Sequence, residues 1–247
     1  MMRLLKYDWK RNASSVLGLM TILLIVQILI TSAGYMRGWE FGVMLALSML
    51  AYGVVSTILI VMVCRTFDQN IKVYNRRLLP VRSIWSIVSS LIQSWISMLI
   101  LMVLVILHMT ILWKIEGLEY VVRWSSFVAL DYVVAAVAGI WKFTFVMLVI
   151  FLSITVARAI GKKGSLWIGI LFFFAIQTAI EWLEFKIFTF DNGWVGQAFS
   201  FSVEQGGMAT INNEFIEIPL GPHVFEMLLA AGFIYAMVYL IDRKVEA

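Results

Sequence analysis

Lys142, Glu181 and Glu226 are the residues of this 247-residue chain most able to do buried ionic chemistry, because each interrupts an otherwise apolar run. A charge inside hydrocarbon costs about 2.5–3.5 kcal/mol on insertion scales, so each should hold a partner or perform a function. Lys142 stands 16 residues before Arg158, Glu181 stands 16 after Ser165, and Glu226 stands 16 before Asp242. At 1.5 Å per residue all three reach about the same depth, roughly 24 Å from one membrane face. Equal depth predicts one cluster, with Lys142 paired to Glu181, Glu226 as the second candidate and Glu184 near the outer interface. Two chemistries suit such a cluster: an ion pair locking spans together, which is the preferred reading, or a polar site or gate.

A second constellation is the polar stretch RTFDQNIKVYNRRLLPVRS at 65–83, set between two apolar runs. Taken as a helix from Phe67, the residues Phe67, Ile71, Tyr74 and Leu78 fall within an arc of about 60° at 100° per residue. Asp68, Gln69, Lys72, Asn75 and Arg76 cover the rest, Arg77 adds charge, and Pro80 ends the helix before the chain turns into the next span. The pattern predicts a short amphipathic helix lying along the membrane surface. It could rest on anionic lipid, or receive a docking protein through its cationic side.

Other chemistry is missing its letters. No G-x-x-x-x-G-K-[ST] occurs, and GKKGS at 161–165 has the right residue types in the wrong order, as a basic turn does. His108 and His223 have no neighbours at metal-ligand spacing and read as interfacial polar residues. No H-E-x-x-H, G-x-S-x-G or C-x-x-C is found, so no enzymatic activity and no cofactor is expected in this chain. The single cysteine, Cys64, excludes an intrachain disulfide. Nothing suggests a nucleic-acid partner.

The elements that must position these residues follow from composition. The chain is 62% hydrophobic and 14% charged, about half the charged share of a soluble domain, with a mean hydropathy of +0.93. An all-α integral membrane protein is expected, with the lipid bilayer as its solvent. Six segments meet the length needed to cross hydrocarbon: 16–35, 41–63, 86–113, 132–157, 166–182 and 224–241. The whole chain, 1–247, then forms one membrane domain. With both termini on one side, fourteen of the nineteen lysines and arginines share that side, and the positive-inside rule makes it cytoplasmic. No cleavable signal pattern precedes the first span.

MMRLLKYDWKRN reads as an interfacial amphipathic helix, with Met1, Leu4, Leu5 and Trp9 near one face. The outer segment 184–223 alternates polar and apolar residues around Gly206–Gly207 and Asn212–Asn213, which predicts a small extracellular β-element or lid. Ala135 with Gly139, and Gly232 with Ala236, are spaced for close helix contacts. Trp39, Trp113, Trp124, Trp182 and Trp194 cluster near the outer boundary as an aromatic belt.

This layout resembles the bacterial ABC-2-type transporter permeases. The features that carry the likeness are six spans, a basic N-terminal helix, a coupling-helix loop at 65–85, a large outer segment before the last span, and RRLLPVRSIWSIVSS at 76–90. The resemblance implies a permease half in the bacterial plasma membrane that pairs with a second permease subunit, identical or not. It further implies a cytoplasmic ABC ATPase subunit, which supplies ATP and Mg and docks on the loop at Phe67, Ile71, Lys72, Tyr74, Arg76, Arg77, Leu78 and Pro80. The expected function is export of a hydrophobic or amphipathic compound such as an antibiotic or peptide. Two other readings fit the residues: an ion-coupled secondary transporter using Lys142, Glu181 and Glu226, and a non-transporting sensor or immunity subunit.

Overall fold

The computed structural model describes residues 2–71, 83–116, 129–160, 165–188, 200–203, 209–212 and 220–243. Six helices and one hairpin follow in order: α1 (Met2–Arg37), α2 (Phe41–Asn70), α3 (Ser83–Glu116), α4 (Ala129–Ile160), α5 (Ser165–Phe188), β1 (Ser200–Val203), β2 (Ala209–Asn212) and α6 (Leu220–Arg243). All six helices are long and apolar enough to cross a bilayer. With no water in hydrocarbon, backbone groups are satisfied within each helix, and this is a multi-pass membrane protein. Many large apolar side chains, among them Ile22, Leu50, Leu171 and Leu228, are correspondingly exposed.

The helices overrun the expected spans. Residues 2–37 form one uninterrupted helix, so the N-terminal segment is continuous with the first span rather than a separate element. No proline or glycine stands between residues 2 and 17 to break it. α2 likewise continues through Arg65 to Asn70, taking up the start of the stretch assigned to the connector. It closes at Ile71, whose N–H donates to the Phe67 carbonyl at 3.1 Å. α1 turns into α2 through Gly38, whose φ of +62° suits glycine, and the Trp39 N–H donates to the Gly34 carbonyl at 2.9 Å.

The described chain falls into two compact units, residues 1–117 and 118–247. In the first, α1, α2 and α3 pack against one another. Val16, Met20 and Leu23 repeat at i, i+4 and i+7 on α1, and meet Tyr52, Val55 and Leu59 of α2 and Leu101 of α3 in one apolar core. In the second, α4 is central, packing on both α5 and α6. Half of α4's apolar window is buried, against 6% of α5's. Gly169 of α5 lies close to α4, where a β-carbon would stand 3.4 Å from Cβ of Ala157. The expected close contacts at Gly139 and Gly232 are not made; a β-carbon added at either meets open space. Small-residue spacing is common by chance, and here the tight approaches are at Gly34, against Met44, and Gly221, against Phe188.

β1 and β2 pair antiparallel, Ser200 opposite Asn212 and Val203 opposite Ala209.

Candidate functional site

Two of the three charges within the apolar runs meet, in a different pairing from the one preferred on depth alone. Lys142 of α4 donates to Oε1 of Glu226 on α6, forming an ion pair. The neighbouring indole of Trp141 donates to Oε2 of the same carboxylate at 2.7 Å. Glu226 is 1% exposed, so each of its oxygens is matched by a donor where no water could serve. Glu181 is exposed instead and accepts a hydrogen bond from Gln177 Nε2 at 3.0 Å, one turn below it on α5. The reason is azimuth. The face of α5 turned inward carries Ile180, and Glu184 follows four residues later on the same face. Glu184 is therefore the α5 carboxyl that interacts electrostatically with both Lys142 and Glu226. Its Oε1 is buried without a hydrogen-bond donor among the described residues.

Aromatic contacts frame the pair. Phe145 meets Phe233 between α4 and α6 at 6.0 Å, and Phe188 meets Phe225 between α5 and α6 at 6.1 Å. Chemically, the arrangement is an ionic clamp between α4 and α6, buried on its Glu226 side, with the second acid Glu184 coupled to it.

Of the residues expected to dock a partner, Lys72, Tyr74, Arg76, Arg77, Leu78 and Pro80 lie outside the described residues. Phe67 and Ile71 do not: both are fully buried at the end of α2. They anchor the root of the connector within the protein.

Sequence reasoning missed the group beside them. Asp8 is fully buried and joins three helices. Its Oδ2 accepts from Asn70 Nδ2 at 2.9 Å and from Ser89 Oγ at 3.1 Å, while Arg11 Nη2 lies 3.5 Å from Oδ1. One turn further along α1, Asn12 Nδ2 donates to Thr66 Oγ1 of α2 at 2.8 Å. Asp8 is the one acid before Glu40, among Arg3, Lys6, Lys10 and Arg11, and so reads as part of a solvated basic face. Its isolation among cations was the available signal. The knot sits where α2 ends and α3 begins, at the two roots of the 72–82 connector.

A second polar tie lies about 28 Å along α3 from Ser89. Hydrogen bonds join His108 Nε2 to Thr31 Oγ1 of α1 at 3.0 Å and His108 Nδ1 to the Tyr52 hydroxyl of α2. Both ring nitrogens are engaged, so the histidine bridges α3 to α1 and α2. Among the described residues no group of three His, Cys, Asp or Glu could hold a metal ion.

No family model matches the chain, and comparison with curated proteins and with solved structures likewise gave no match.

Proposed function

We propose that the chain is the membrane-spanning permease subunit of an ATP-binding-cassette exporter, driven by an ATPase made as a separate chain. The observation that best supports this reading is the knot at Asp8. A connector can transmit force only if its ends are held to the helices that must move. Asn70 at the end of α2 and Ser89 near the start of α3 both bond the same carboxylate of α1. A push on Lys72, Tyr74, Arg76, Arg77 or Leu78 would then reach three helices together.

On this reading the connector and both termini face the cytoplasm of a bacterial cell, and the 200–212 hairpin forms part of an outer lid. Two permease subunits enclose the path, and ATP with Mg binds the partner ATPase. Nucleotide-driven closure of the ATPase switches the helices between inward-open and outward-open states, moving a hydrophobic or amphipathic cargo out. The Lys142–Glu226 clamp keeps α4 and α6 moving as one body.

Purification in mild detergent tests the proposal: a P-loop ATPase should copurify in fixed ratio and be released by Arg76→Glu with Arg77→Glu. The buried, unmatched Oε1 of Glu184 beside the ion pair favours a second reading, ion-coupled transport. That reading gains if the pure chain transports on a proton gradient with no ATPase bound.

A further inference from the structure

α3 changes character along its length. Between Ser83 and Ser97 it carries six serines and Gln93, whereas from Met98 to Trp113 its only polar residues are His108 and Thr110. The seven polar residues of the first stretch are all buried, although lipid-facing positions on the same helix, such as Trp95 and Leu99, are exposed.

Some of these polar groups are accounted for. Ser89 donates to Asp8, and Ser94 donates to the Leu91 carbonyl at 2.7 Å. Three are not: Ser90 Oγ, Gln93 Oε1 and Ser97 Oγ are buried with no hydrogen-bond partner among the described residues. At 100° per residue they share an arc of about 60°, and they span about 10 Å of the helix axis. They form a row.

Hydroxyls inside a span ordinarily bond a carbonyl three or four residues back. Thr21, Ser32, Thr144, Ser153 and Thr155 all do so here. Ser90 and Ser97 depart from that habit. Close packing does not explain them, because alanine would pack as tightly without stranding a hydroxyl, and Gln93 is not small. Buried polar groups aligned in this way are met by water or ligand when the protein offers nothing.

No charge stands in the row. Among the described residues, Asp8, the charged group that Ser89 of the same helix reaches, is already engaged by Asn70, Ser89 and Arg11. An ion would enter without a counter-charge.

We propose that Ser90, Gln93 and Ser97 line a hydrated track in the connector-proximal part of α3, which takes uncharged hydrogen-bonding groups, water among them, and rejects ions. Thiol labelling tests it on the full chain in lipid nanodiscs, in a Cys64→Ser background. Cysteines are placed at Ser90, at Ser97 and, as a dry control one turn on, at Leu101. A thiol reacts as its thiolate, which requires water around it. The neutral reagent 2-hydroxyethyl methanethiosulfonate should modify S90C and S97C about tenfold or more faster than L101C. A smaller ratio overturns the proposal. The sulfonate-bearing analogue should be slower than the neutral reagent at both positions; equal rates overturn the rejection of ions.

Should either cysteine variant fail to fold, Ser90→Ala with Ser97→Ala gives the same decision. A fall in thermal midpoint supports a hydrated row, and no change or a rise overturns it, since losing a stranded hydroxyl from a dry core does not destabilise. The labelling needs neither ATPase nor cargo, so its failure leaves the transport reading standing.

Discussion

The first three-helix unit ties α1, α2 and α3 with hydrogen bonds at two levels, Asp8 with Asn70 and Ser89 at one, and His108 with Thr31 and Tyr52 at the other. An apolar core lies between those levels. In the second unit, among the described residues, the ion pair of Lys142 with Glu226 joins α4 to α6 amid aromatic contacts. The difference matters because the two kinds of tie fail differently. A hydrogen bond between helices in lipid is worth about 0.6–1.7 kcal/mol, since the separated helices also find partners. Removing one member of a buried ion pair strands the other charge and costs about 3–5 kcal/mol. The first unit spreads its polar stabilisation over several modest bonds; the second concentrates it.

The largest expected effect is therefore at Glu226. Glu226→Ala should lower the stability of residues 118–247 by about 3–5 kcal/mol, read by thermal unfolding in detergent. Replacing both Lys142 and Glu226 by methionine should restore most of the loss, because neither charge is then stranded. A single variant as stable as the parent would show that the clamp does not hold α4 to α6.

Asp8→Ala comes next. It strands the Asn70 and Ser89 donors and should cost about 1–3 kcal/mol. Proteolytic cutting within 72–82 should quicken as the roots loosen, whereas Glu226→Ala should leave that rate unchanged. Equal acceleration by both would erase the distinction between the units. His108→Phe should follow at about 0.6–1.7 kcal/mol, checked by the same melt.

The smallest effect belongs to Gly139→Ala. With open space around the new β-carbon, the change should stay within about 0.5 kcal/mol of the parent or stabilise through helix propensity. A loss of more than that would mean α4 is closely approached there after all.

Much of the fold was legible because hydropathy acts over whole segments. The six apolar runs could be placed from letters alone. Their ends could not, because helix continuation into Arg65–Asn70 depends on Phe67 and Ile71 being buried by tertiary packing. At the ion pair, counting residues gave depth, which brought Lys142, Glu181 and Glu226 to one level. It gave no azimuth, so it could not distinguish Glu181 from Glu184 on α5 or rank Glu226 first. Asp8 was missed for a related reason: an acid among cations is indistinguishable in sequence from a solvated neighbour until Asn70 and Ser89 arrive from distant positions.

Under the proposed function, the connector between α2 and α3 is where an ATPase pushes. Placing a photo-crosslinking residue at Tyr74 or Arg77 in living cells tests this most directly. The expected result is a cross-linked product containing a P-loop ATPase, with a yield that changes when cellular ATP is depleted. Cross-links to lipid alone, or labelling of these positions by reagents confined outside the cell, would contradict it.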